Sequence, residues 1–350
     1  MANQILSAWL ILICIEMAII LVSQPIFDFY SIRILPFTYG PLLLLYARFV
    51  TTEKPVFNPL YLLHFLPFFL FLVASLIFMD QPVMSGTIGF LDFDGFFSFR
   101  IVYASAFFVS ITAYSIATFM EIRRHQRRLK EFVSYSSGKI TLQWLKGLSI
   151  TFYAAYIVMF IFGGLDILTG FMDFDPYETS FIGLTIIAYL FTIFGFRQPS
   201  IFEEVVREHD VVIELVPDDP EQKKYARSGL KKKDVTRYIK MLESHMTKDK
   251  PFKDRELTIF DLSDQLKIPR HFLSEVINEH LGKNFYTLVN EYRIEEVKKR
   301  MVDPAFKHLT ILAIAYDAGF NSKSSFNTIF KQKTGLTPSE YLKSINATDS

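Results

Sequence analysis

The chain has 350 residues, enough for two domains, and carries 37 Lys and Arg against 36 Asp and Glu, a net charge of +1. The first 200 residues hold twelve of each sign, leaving 25 basic and 24 acidic for the rest, so a broadly basic surface is excluded and any positive charge for nucleic acid must be placed locally. A single cysteine, Cys14, excludes a disulfide framework and a multi-cysteine zinc site.

Hydropathy divides the sequence. Up to about Gln198, long apolar runs alternate with short polar breaks; from Glu203 onward the composition is that of a soluble protein. The amino terminus has no basic stretch ahead of its apolar run, which argues against a cleaved signal peptide. A spanning helix needs roughly 20 mostly apolar residues, because the bilayer core offers no partner to a bare backbone. Six segments qualify: Ile5–Val22, Ile34–Val50, Leu60–Met79, Phe96–Met120, Trp144–Leu168 and Phe181–Phe196. Gly40-Pro41 and Pro67 are expected to kink the second and third.

Charge orients these spans. Arg123, Arg124, Arg127, Arg128, Lys130 and Lys139 lie between the fourth and fifth, which makes that loop cytoplasmic by the positive-inside rule. Asp80, Asp92 and Asp94 in one loop, and Asp173, Asp175 and Glu178 in another, have no basic companions and read as outside. Arg48 and Lys54 fall inside, and both termini are placed in the cytoplasm. The basic loop serves either as a topology anchor alone or as a contact for anionic lipid heads or the cytoplasmic domain. Glu16 and Asp166 are costly in lipid; Asp166 lies near an interface, and Glu16 is the candidate membrane signal site unless it only pairs with a polar group in the bundle. The sequence has no histidine pair at metal spacing, no Gly-x-Ser-x-Gly and no phosphate loop, so no catalytic residue, metal or cofactor is expected.

Residues 199–233 read as a polar linker broken at Pro217-Asp218-Asp219-Pro220, with Lys231-Lys232-Lys233 as a solvated helix start. An internal repeat follows. Thr258-Ile259-Phe260-Asp261-Leu262-Ser263 aligns with Thr310-Ile311-Leu312-Ala313-Ile314-Ala315. Leu273, Val276 and Ile277 align with Phe326, Ile329 and Phe330, and Gly282 aligns with Gly335. Each copy has a short amphipathic helix with a small residue (Ser263 or Ala315) at the crossing point. A turn then leads to a second helix that ends at glycine. Gly319 suits a positive φ, while Pro269 and Ser322 suit a helix start. Helix, tight turn, helix is the pattern whose second helix enters the major groove. A helix over Asn284 to Val302 spans roughly 28 Å, comparable to a turn of DNA at roughly 34 Å, so it could set two recognition helices in successive grooves.

On these residues the stretch from Glu256 to Lys343 resembles the DNA-binding domain of the AraC/XylS family. The carriers are Pro269-Arg270-His271-Phe272-Leu273-Ser274, Gly282-Lys283-Asn284-Phe285 and Tyr292-Arg293-Ile294-Glu295-Glu296. To these are added Ile314-Ala315-Tyr316-Asp317-Ala318-Gly319-Phe320 and Phe330-Lys331-Gln332-Lys333-Thr334-Gly335-Leu336-Thr337-Pro338. The resemblance implies base contacts from Arg270, His271, Ser274 and Glu275 in the first copy and from Lys323, Ser324, Asn327 and Thr328 in the second. All alternate with the buried stripe and are expected to face outward; Glu275 can accept from cytosine but repels phosphate. Lys331 and Lys333 are the expected phosphate contacts. The amino-terminal half resembles the multi-span region of some bacterial members, a layout that often has one more span upstream.

The expectation is therefore an all-α protein with three parts. Residues 1–198 form a polytopic helical bundle of about six spans, 199–233 a cytoplasmic linker, and 234–350 a cytoplasmic all-helical domain with two helix-turn-helix units. Its expected partners are double-stranded DNA, the lipid bilayer, an unidentified signal ligand or membrane partner, and a second copy of the chain. Its expected site is the bacterial cytoplasmic membrane. Two competing readings are a membrane enzyme or transporter with an attached regulatory domain, and a constitutive DNA binder merely tethered by its spans. A fragment from about Lys223 to Ser350 is expected to fold alone.

Overall fold

The computed structural model describes residues 2–26, 34–52, 56–78, 83, 91–136, 140–169, 185–186, 188–195 and 230–348. The linker and acidic-loop readings over 199–229 and 170–180, and parts of the sixth expected span, lie outside these residues. The chain divides into two units: unit 1 is Met1–His125 with Leu142–Glu208, and unit 2 is Gln126–Thr141 with His209–Ser350. Among the described residues no strand forms, and one isolated bridge pairs Val133 with Thr258.

Unit 1 contains α1 (Ala2–Ile26), α2 (Tyr39–Thr51), α3 (Leu66–Ile77), α4 (Phe97–Leu129, its last four residues falling in unit 2) and α5 (Gln143–Thr169). Among the described residues, three stretches are long and apolar enough to cross a membrane: Pro59–Ile77, Phe97–Leu129 and Gln143–Leu165. α2 is buried along nearly its whole length. Gly40 permits its close approach to α4, since a Cβ there would lie 2.9 Å from the Tyr114 Cβ. The expected kink at Gly40-Pro41 is replaced by a helix start. Pro41 falls in the first turn of α2, where the missing N–H costs no intrahelical bond. Pro67 sits at the junction of the 3-10 turn Pro59–Phe65 with α3. Trp9 is enclosed by Phe191, Phe152 and Tyr39, at ring-centroid distances of 4.8, 5.9 and 6.3 Å.

Unit 2 contains α6 (Lys232–Lys248), α7 (Ile259–Leu266), α8 (Arg270–Glu275), α9 (Phe285–Val302), α10 (Ile311–Asp317), α11 (Lys323–Thr334) and α12 (Pro338–Thr348). α8 continues as a π-helical turn over Val276–His280. The helix starts are written in the local sequence. Thr258 and Asp261 form a capping box on α7. Asn284, Thr310 and Ser322 accept the orphan N–H groups of Thr287, Ala313 and Ser325 on α9, α10 and α11. α11 ends at Gly335, with φ 78°. One core joins Ile294, Val297 and Met301 of α9 to Ile314, Ala315, Phe320, Phe326, Ile329 and Phe330. Tyr341 and Leu342 of α12 close it from outside.

Candidate nucleic-acid interface

The two helix pairs, α7 with α8 and α10 with α11, turn through the same backbone device. Ile268 N–H donates to Ser263 O, and Phe320 N–H donates to Ala315 O, both at 3.1 Å. The residue before each donor is left-handed: Lys267 has φ 52° and Gly319 has φ 102°. Ser263 adds a side-chain tie, its Oγ donating to Ile268 O at 2.7 Å. The extra residue of the second pair falls after this bond, where Asn321 and Ser322 stand opposite the single Pro269.

The outer face of α11 is open. Lys323, Ser324, Asn327, Thr328 and Lys331 are exposed, while Phe326, Ile329 and Phe330 form its buried stripe. α8 is less open. His271 is exposed and its ring lies on Phe272, with centroids 4.0 Å apart. Arg270 is half-buried over the Phe260 ring at 5.0 Å, and Ser274 accepts from Asn278 Nδ2 at 3.2 Å. Glu275 departs from the expectation that it faces outward: it is buried, with 7% of its surface exposed. The physical reason is α6. Its Tyr238 lies against Phe272, with centroids 6.3 Å apart, and α6 packs along the π turn. α8 is thus covered on two sides, and Glu275, Val276 and Ile277 all turn inward. A period of 3.6 with one buried stripe cannot foresee a second packing partner.

Lys333 is exposed but held by protein charge, its Nζ pairing with the Glu291 carboxylate of α9. Lys283 Nζ reaches the other Glu291 oxygen at 2.6 Å. Burial raises the Glu291 carboxyl, but these two ammonium groups outweigh it and hold it below the ordinary value. Glu16, in unit 1, is buried and accepts a hydrogen bond from the Tyr39 hydroxyl.

One residue that organises the interface was visible in the sequence only as part of a resemblance. Arg293 of α9 is 1% exposed. Its Nε donates to Phe252 O at 2.7 Å, Nη2 to Asp254 O at 2.6 Å and to Ser134 Oγ at 3.0 Å, and Nη1 to Ser134 O at 2.9 Å. Burial pulls its pKa down to about 10, so it remains charged at neutral pH. Gly319 presses against the same cluster, because a Cβ there would lie 2.2 Å from Phe252 O and 2.9 Å from Arg293 Nε. Arg293 therefore fixes the turn of the second pair relative to α9. The signal available in sequence was its register: Val289, Arg293 and Val297 are spaced by four and share the buried stripe of α9.

Part of unit 2 is similar to known proteins. A profile of the helix-turn-helix domain family matches residues 262–344. An uncharacterised HTH-type transcriptional regulator of Staphylococcus aureus is 35% identical over 86 residues, which is 25% of this chain and 11% of that protein. The TCP pilus virulence regulatory protein of Vibrio cholerae is 38% identical over 82 residues, 23% of this chain and 28% of that protein. The raffinose operon transcriptional regulatory protein of Pediococcus pentosaceus is 30% identical over 88 residues, 25% of this chain and 31% of that protein. The chain thus spans less than a third of the length of each of these relatives. No solved structure matches.

Proposed function

We propose that this chain is a membrane-bound transcription regulator that reads duplex DNA through two helix-turn-helix units; the AraC/XylS-type helix-turn-helix domain in its carboxy-terminal part supports this reading. The observation that carries this is α11. One face buries three apolar residues, and the other presents Lys323, Ser324, Asn327, Thr328 and Lys331 to solvent. Amide, hydroxyl and ammonium groups at helical spacing can address base edges from the major groove, with Lys331 on phosphate. In the first pair, Arg270, His271 and Ser274 take the corresponding role. α9 covers 18 residues, about 27 Å, which suits two recognition helices on one face of the duplex.

The membrane part of the proposal rests on unit 1. α3 exposes Leu66, Phe69, Leu70, Val73, Leu76 and Ile77, a surface that water disfavours and lipid accepts. The reading is six spans in the bacterial cytoplasmic membrane, with the basic loop and unit 2 in the cytoplasm. Glu16 is the proposed signal site, since a buried carboxylate paired to a tyrosine in the bundle can change partners when a ligand binds. A second copy of the chain is the proposed oligomeric partner.

Selection from a random duplex pool with the full chain in lipid nanodiscs tests the DNA reading: a single enriched motif is expected, and no enrichment would sink it. Reporter fusions test the topology, with Asp92 expected outside and Arg127 inside; Arg127 reached from outside would overturn it. Glu16→Gln removes the charge and keeps the shape. Promoter output that is identical for wild type and Glu16→Gln under every condition would remove Glu16 from the signal path.

A further inference from the structure

The loop between α4 and α5 is a structural part of the DNA-binding unit. Residues Gln126–Thr141 cluster with unit 2, and their carbonyls engage it at alternate positions. Lys130 O accepts from Tyr286 N–H at 3.0 Å, in the first turn of α9. Phe132 O accepts from Ile259 N–H at 2.9 Å, the first residue of α7. Ser134 O accepts from Arg293 Nη1 and from Asn290 Nδ2 at 3.0 Å. Ser134 also donates to Leu257 O, through N–H at 3.2 Å and Oγ at 2.7 Å. Side chains reinforce the fit. Val133 is 2% exposed, Phe132 stacks on Phe260 at 6.3 Å, and the Lys130 ammonium lies 5.8 Å from the Tyr286 ring centroid. Gln126 Nε2 donates to Thr141 O at 2.7 Å and ties the two ends of the loop together.

These are contacts of a ligand with its site. The loop supplies acceptors to orphan N–H groups at two helix starts, which otherwise need water or caps. It also supplies two of the acceptors that keep the buried guanidinium of Arg293 satisfied, and that guanidinium fixes the second pair. We propose that residues 126–136 are the coupling segment of this protein: docked on α7 and α9 they complete the DNA-binding unit, and undocked they leave it incomplete. The segment is covalently continuous with α4 and α5, so a change in either helix reaches the unit by shifting the balance between the two states. The proposal rests on the DNA-binding reading only for its effect, since the docking itself is read separately.

The test uses the full chain in nanodiscs, in a Cys14→Ser background. Val133 and Thr258 are a non-hydrogen-bonded antiparallel pair, flanked by the Ser134–Leu257 and Ile259–Phe132 bonds. Such pairs have Cα atoms about 4.5 Å apart, inside the disulfide range of about 4.4–6.8 Å. Val133→Cys with Thr258→Cys should form an intramolecular disulfide under mild oxidation; no cross-link overturns the docked loop. Affinity is then measured for a duplex selected from a random pool by the wild-type chain. The oxidised chain should bind at least as tightly as the reduced one, and a tenfold loss on locking overturns the docked state as the binding state. Ser134→Ala in this background removes only the Oγ bonds. Reduced, it should bind about three- to tenfold more weakly, and oxidation should restore affinity to within twofold. If Ser134→Ala binds as tightly as its parent in both forms, the loop has no part in DNA binding. If the wild-type chain enriches no duplex at all, the DNA reading fails while the cross-link still reports on docking.

Discussion

The two helix pairs of unit 2 descend from one pattern and share the bond that closes their turns, yet different neighbours press on them. The second pair packs on α9 and α12 and keeps the whole outer face of α11 open. The first is enclosed by α6 on one side and by the segment from Lys130 to Ser134 on the other, and its second helix gives way to a π turn after six residues. The lesson is that a repeated backbone motif does not carry a repeated surface. What stays open to solvent is decided by which side of the second helix the rest of the domain has already taken.

The sharpest way to break this comparison is the turn residue. Gly319→Ala places a Cβ against Phe252 O in a left-handed backbone and should lower the stability of unit 2 by about 3–5 kcal/mol. At the matching position Lys267→Gly should fall within about 1 kcal/mol of the parent, on the stabilising side, because the turn there is open to solvent and already left-handed. Amide exchange protection in α9 to α11 of the full chain reads both, and equal effects would mean that the two turns share one environment. Arg293→Met comes next. It strips donors from Ser134 O, Phe252 O and Asp254 O and should cost about 3 kcal/mol. Arg293→Lys should not rescue it, since an ammonium cannot reproduce the fork.

The recognition faces should differ as their burial does. Asn327→Ala should relax preference at one base pair by about 1–3 kcal/mol in a selected-site profile. Glu275→Gln should leave the profile unchanged and act on stability alone; a changed profile would show that Glu275 reaches the duplex. For phosphate, Lys331→Ala should flatten the salt dependence of binding by about one unit of slope. Lys333→Ala should do less, because Glu291 already holds that ammonium. The smallest effect is acidic. The Glu291 carboxyl lies below its ordinary value of 4.5 in the fold, so its contribution is present above that pH and is lost as pH falls through the lowered value. Glu291→Gln should flatten the acid limb of a pH–stability curve slightly, since the pair is partly exposed to solvent.

The apolar runs, the helix start at Ser322 and the duplicated pair were legible in the sequence. Each rests on local chemistry: a run of side chains that water rejects, an Asx or hydroxyl side chain one step before a helix, a period of 3.6. The cap expected at Ser322 forms, and the structure adds caps of the same chemistry at Thr258, Asn284 and Thr310. Among the described residues, three stretches have the length and apolarity of a span. The sequence also made a fragment from Lys223 to Ser350 look self-sufficient, because the matched apolar residues all lie within it. Only the tertiary structure decided that Ser134 enters the interior of unit 2, from more than 150 positions upstream of Arg293. The reason is physical. The segment from Lys130 to Ser134 binds chiefly through backbone carbonyls, which every residue carries and no residue type announces. Likewise Glu275 turned inward because α6 covered its side of α8, an event settled by packing between segments and not by the period of either one.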